Sequence, residues 1–185
     1  MMEELSILLD EHQAMRRILS ALERTVEDWE PANPRQAAAL GAEVESLVEL
    51  MTRFHNLKEE TVLIHRLRQK DQVLEPRIIC NLSDKEAVVK LLRDLAHGVA
   101  AGTVTREAAQ AAVRRISRVT LLMLKVEEEV LYPAVYRLCS EDDIWAMSVE
   151  MDRAVDMDGR ERRARLIAAC GHGLPMLLQP LGAQA

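Results

Sequence analysis

The 185-residue chain is 49% hydrophobic and 29% charged, enough apolar material for one domain with a substantial core. Its net charge of −6 and the lack of a basic stripe argue against a nucleic-acid backbone as partner, and no apolar run approaches the roughly 20 residues of a membrane helix. The start Met1-Met2-Glu3-Glu4 lacks the basic, then apolar, pattern of a secretory signal, so the sequence reads as cytoplasmic. Few glycines and prolines, 3% aromatics and long stretches of helical periodicity give an all-α class. Cys80, Cys139 and Cys170 are an odd number at unrelated spacings, which suits reduced structural thiols rather than a disulfide framework.

The first helix is expected from Glu3 to Asp28, with Leu5, Leu8, His12, Met15, Leu19 and Leu22 along a buried seam. Taken alone, His12 reads as a core imidazole bonded to a carbonyl. Pro31 and Pro34 break that helix, and Asn33-Pro34 is the N-cap and first-turn pair of a second helix reaching Gln69. After a loop over Lys70 to Glu75, a third helix begins at Pro76 and runs to His97, stopping at Gly98 or Gly102. Thr105 caps a fourth helix whose seam is Val113, Ile116, Thr120, Met123, Glu127 and Val130, ending near Cys139. Short connections between four such helices predict an antiparallel up-down four-helix bundle over residues 1–139.

Residues 140–185 form a C-terminal helical extension and tail. Ser140-Glu141-Asp142-Asp143 opens a fifth helix. Its stripe of Ile144, Met147, Met151 and Val155 either caps the bundle or makes a homodimer through the 141–157 helix. Asp158-Gly159 is expected to break it, and a short basic helix follows to about Cys170, with Arg160, Arg162, Arg163 and Arg165 on a solvated face. Cys170-Gly171-His172-Gly173 has no second pair and is not read as a metal site. His65 and His97 fall near helix ends and are expected to be exposed.

The stretch that demands chemistry is Phe54-His55-Asn56-Leu57-Lys58-Glu59-Glu60-Thr61-Val62-Leu63. Residues four apart share a helix face, so His55 and Glu59 point the same way, on a stripe otherwise made of Val44, Val48, Met51 and Val62. Burying each such polar group without a partner costs roughly 2 to 7 kcal/mol. A metal ion or an opposite charge are the two economical answers.

An internal repeat supplies the rest of the constellation. Residues 10–19 align with 83–92, and His55-Asn56-Leu57-Lys58-Glu59-Glu60-Thr61-Val62-Leu63 aligns with Met123-Leu124-Lys125-Val126-Glu127-Glu128-Glu129-Val130-Leu131. His12, His55 and Glu59 of one half are thereby set opposite Lys85, Met123 and Glu127 of the other, all at one level of the core. Glu60, Glu128 and Glu129 lie one step round the helix and are expected to be solvated. Tyr132 is placed at the bundle end, although its hydroxyl could reach the site.

The Glu11-His12 pair, the His-x-x-x-Glu-Glu of helix 2 and Glu127-Glu128-Glu129-Val130-Leu131-Tyr132-Pro133 resemble the hemerythrin or HHE cation-binding family over about residues 4–138. The resemblance implies a four-helix bundle holding a non-haem di-iron centre that binds O2 or senses O2, NO or iron. It places helix 1 and helix 2 histidines on one iron, helix 3 and helix 4 histidines on the other, and two bridging carboxylates between them. His12, His55, Glu59 and Glu127 match that pattern. The helix 3 histidine falls on Lys85 and the helix 4 histidine on Met123, neither of which is a ligand for iron among carboxylates.

The expectation is therefore a metal-binding or sensing protein with a one-metal or metal-free remnant of the di-iron site. Two histidines and a carboxylate suit one Fe or another divalent metal. Alternatively, Lys85 replaces metal altogether, leaving a structural or regulatory bundle acting through a protein partner. A more distant likeness, of Phe54-His55-Asn56-Leu57-Lys58 to histidine-phosphotransfer domains, requires His55 to be exposed. No positioned nucleophile, phosphate loop or substrate motif indicates an enzyme.

Overall fold

A computed structural model describes residues 5–172, which form an all-helical bundle without strands among the described residues. Helix α1 is Ser6–Glu27 and α2 spans 34–70. Helix α3 is Glu75–Ala100, α4 spans 106–138, α5 is Glu141–Arg153 and α6 is Met157–His172. Each of the first four helices packs on the next in sequence, and α4 returns to α1, closing the expected four-helix ring.

Local chemistry sets the ends. Asn33 Oδ1 accepts from the amides of Arg35 and Gln36 at 3.1 and 3.3 Å, with Pro34 in the first turn of α2. Asp71 accepts from Val73 N at 2.8 Å in the corner before α3. Gly102, at φ 64°, supplies the left-handed residue that lets the chain leave α3. Thr105 caps α4, and Ser140 with Asp143 forms a reciprocal capping box on α5.

Two long helices depart from a regular α ladder, which periodicity does not reveal. Helix α2 contains π-helical turns at Leu50–His55 and Glu59–Ile64, and α4 contains one at Glu127–Leu131. His55 ends the first, Glu59 opens the second and Glu127 opens the third. Such turns re-aim side chains relative to a regular helix and recur at functional sites. In α4 a local cause is visible, since Pro133 has no N–H to give the carbonyl one turn back.

The core is divided. One apolar cluster contains Met15, Leu22, Trp29, Leu47, Phe54, Leu92 and Val113. A second contains Leu5, Leu8, Leu63, Ile78, Leu131 and Val135. Between them along every bundle helix lies a buried polar layer: Glu11 and His12 on α1, His55, Lys58 and Glu59 on α2, Asn81 and Lys85 on α3, and Glu127 on α4.

The extension settles where its stripe packs and corrects one boundary. Ile144, Met147, Met151 and Val155 are all buried within the chain, the first three in the second cluster against the Glu59–Ile64 segment, so the stripe caps the bundle. The break after α5 falls at 154–156, not at Asp158-Gly159. Asp156 Oδ1 accepts from Gly159 N at 2.7 Å, and a Cβ on Gly159 would stand 2.6 Å from Val155 Cγ1, so a side chain there would force the α5–α6 corner apart. The stretch Cys170 to Gly173 and the tail beyond it lie outside the residues whose side chains are described.

Met147→Ala is expected to cost about 2 to 5 kcal/mol in urea unfolding, the usual range for emptying a fully buried site. The loss is expected to be independent of protein concentration, whereas an intersubunit stripe would make it concentration-dependent.

Candidate metal centre

Five side chains that the repeat sets at one level do meet. His12, His55, Glu59, Lys85 and Glu127 are 0 or 1% exposed and in mutual contact. Met123 is buried one turn before Glu127 in the first apolar cluster, where it packs as a hydrophobe. His65 and His97 are exposed, as expected.

The histidines are held from behind. His12 Nδ1 donates to Glu128 Oε1 at 2.7 Å, and Arg16 donates to the other oxygen of Glu128 at 2.8 Å. His55 Nδ1 donates to Glu11 Oε2 at 3.3 Å, and Lys58 and Arg163 both donate to Glu11 Oε1. With both Nδ1–H groups on carboxylates, both Nε2 lone pairs face the centre. His12 Nε2 lies 3.0 Å from Glu127 Oε2, and His55 Nε2 lies 3.5 Å from that same oxygen and 3.7 Å from Glu59 Oε2. The Tyr132 hydroxyl donates to His12 Nε2 at 3.0 Å.

The other side of the centre is built around Lys85. Its ammonium donates to Glu59 Oε2 and lies 3.3 Å from Glu127 Oε1, which also accepts from Asn81 Nδ2 at 3.0 Å. Lys85 thus bridges the two carboxylates from the half of the site where the histidines are missing. Two carboxylates against one ammonium leave one negative charge to be met by a further cation, a metal ion or a proton on an imidazole.

Several of these groups were not legible as site residues. Glu128 is not simply solvated, because it grips His12. Tyr132 is not a bundle-end residue, being fully buried with its ring 5.5 Å from that of His12. Arg163 does not lie on a solvated face, since it reaches inward to Glu11 and to Ile7 O at 2.8 Å. Glu60 and Glu129 are exposed, as expected. Lys58 and Glu11 form a wholly buried ion pair. A signal for Lys58 existed in its place between Phe54 and Val62 on an inward stripe; none existed for Arg163, whose partner is 152 residues away.

A family model for the hemerythrin HHE cation binding domain matches residues 3–135. The chain belongs to that family. No curated protein and no solved structure matches it significantly. Within this hemerythrin-type bundle, His12, His55 and Glu127 offer donor atoms within 4.8 Å of one another, a candidate site for a cation. The phosphotransfer reading is overturned by burial, because His55 is 0% exposed and cannot meet a phosphoryl donor.

Burial raises the cost of charging every group here, and the partners decide the outcome. Burial pushes Glu127 up, but the Lys85 ammonium and the two imidazoles beside it outweigh that and hold its carboxyl well below the usual range. Burial pulls the Lys85 ammonium down against the opposing pull of Glu127. Burial, with the neighbouring carboxylates Glu127, Glu11 and Glu128 adding to it, raises the Tyr132 phenol well above its ordinary value. For Glu11, burial is outweighed by His55, Lys58 and Arg163 together, and the carboxyl falls from 4.5 to about 2.

A carboxyl depressed in the folded state contributes stability that is complete above its unfolded value and lost as pH falls through the folded one. For Glu11 the window runs from 4.5 down to about 2. The size is about 3 kcal/mol by linkage. Chelator-treated protein is expected to lose that stability across this window in denaturant titrations, and Glu11→Gln to flatten the acid limb.

Proposed function

We propose that this hemerythrin-type chain binds one divalent metal ion, iron in the first instance, and acts as a sensor rather than as an enzyme. The observation that carries the reading is a set of unanswered donor atoms. His55 Nε2, Glu127 Oε2 and Glu59 Oε1 are buried without a hydrogen-bond partner. Buried polar atoms are rarely left so, and these belong to residue types that ligate metal. The donor set therefore fits a cation.

His12, His55 and Glu127 would hold the ion, with Glu59 beside them. An open non-haem ferrous centre supplies one-electron redox change and affinity for small ligands such as O2 or NO. The protein's own contribution is to aim the imidazoles through Glu128 and Glu11 and to keep the centre dry between two apolar clusters. It also holds the Lys85 ammonium against Glu59 and Glu127, at the level where the resemblance expects the helix 3 histidine. With that position filled by an ammonium, the two-metal chemistry of reversible oxygen carriage is not expected.

Lys85 also supports a second reading, in which the ammonium has replaced metal entirely and the bundle serves a protein partner. Metal content separates the two. After expression with added iron and purification without chelator, close to one iron per chain is expected by elemental analysis, falling to near zero in His55→Ala. Two metals per chain would contradict the one-sided site. No metal in a stably folded chain would favour Lys85 as a permanent substitute.

Lys85→Ala removes one partner of a buried ion cluster and is expected to destabilise metal-free protein by about 3 to 5 kcal/mol. Denaturant unfolding checks this, and a loss below about 1 kcal/mol would mean that the carboxylates do not depend on the lysine.

A further inference from the structure

The matched family domain ends at residue 135, yet one contact to the buried centre comes from far beyond it. Helix α6 lies across α1 and the Leu50–His55 turn of α2, the segment that carries His55. Leu166 is 5% exposed in the first apolar cluster, and Arg162 pairs with Glu49 from the same helix. From this seat Arg163 Nε donates to Glu11 Oε1 while Arg163 Nη2 donates to Ile7 O at 2.8 Å. The opposite oxygen of Glu11 receives His55 Nδ1–H at 3.3 Å.

We propose that Arg163 is a positioning residue for the metal centre, acting through Glu11 on His55, so that the C-terminal extension sets how tightly the site holds its metal. This rests on the one-metal reading above.

Three features carry the inference. First, Glu11 is fully buried, so its orientation is decided by its partners and not by water. Second, the two partners of Oε1 do different things. Lys58 approaches from α2, the helix that already bears His55, and supplies charge. Arg163 approaches from another helix and ties Glu11 to the α1 backbone through a planar fork, which fixes direction as well as charge. Third, His12 has a comparable arrangement, with Arg16 on the far oxygen of Glu128. Each imidazole is thus backed by a carboxylate that is itself held by an arginine, but only on the His55 side is that arginine supplied by the extension. Carboxylates behind metal-bound histidines fix the tautomer and raise ligand basicity, and losing them typically costs about 10- to 100-fold in affinity.

The test uses the full chain and cobalt(II) alone as probe, titrated while the visible absorption of the bound ion is followed. Arg163→Gln is expected to weaken cobalt binding about tenfold, within the range for such outer partners, and to change the spectrum of the bound ion. Arg163→Lys, which keeps the charge but loses the fork, is expected to recover only part of that loss. In a Glu11→Gln background, Arg163→Gln is expected to add no further loss, as two residues of one relay are not additive. A thermal melt of each variant gives the folded fraction, to which affinities are referred. Parent-like cobalt affinity in Arg163→Gln, or losses that simply add in the double variant, would overturn this inference alone. A parent chain that takes up no cobalt overturns the one-metal reading, and this inference with it.

Discussion

Glu59 and Glu127 face each other in the middle of a helical core with a single ammonium between them, and the rest of the structure answers that arrangement. Neither carboxylate can be neutralised by water, so each must be met by fixed groups. Lys85 meets both, Asn81 meets one oxygen of Glu127, and two imidazoles are turned toward what remains. Leucine and valine layers above and below keep the local dielectric low, which strengthens every satisfied contact and makes every unsatisfied one expensive.

The polar layer is also asymmetric, with both imidazoles on one side and the ammonium on the other. On the α1 and α2 side both imidazoles keep their carboxylate supports, Glu128 and Glu11. On the α3 and α4 side a lysine stands at the ligand level and a methionine has joined the apolar core. A buried ion pair of this sort adds little net stability over a hydrophobic substitute. The atoms still lacking partners are on the histidine side and on the two carboxylates, where a cation would find them.

The fold was largely legible because period and punctuation agree. The seam of α1, the Asn33-Pro34 start of α2, the Thr105 cap and the capping box at Ser140 all act within a few residues, and each stands where local chemistry puts it. The π turns at 50–55, 59–64 and 127–131 were not legible, since a periodicity of about 3.6 residues does not register a single wider turn. Of the site, the repeat alignment found the residues that touch the centre. It did not assign the supporting roles of Glu11 and Glu128, left Tyr132 at the bundle end although its hydroxyl could reach the site, and missed Arg163, because contacts between distant helices leave no spacing signal.

What the sequence determined by itself is the helical class, the order of the helices, the ends that a local cap marks and the level at which His12, His55, Glu59, Lys85 and Glu127 stand. Those depend on interactions between residues three or four apart, or on the equivalence of two repeated halves. What only the tertiary structure decided is which nitrogen of each histidine faces inward, which carboxylate stands behind it, and that an arginine near the end of the chain reaches the first helix. Those contacts join residues more than a hundred positions apart or opposite faces of different helices. Only the packing of the helices brings such groups within hydrogen-bond range.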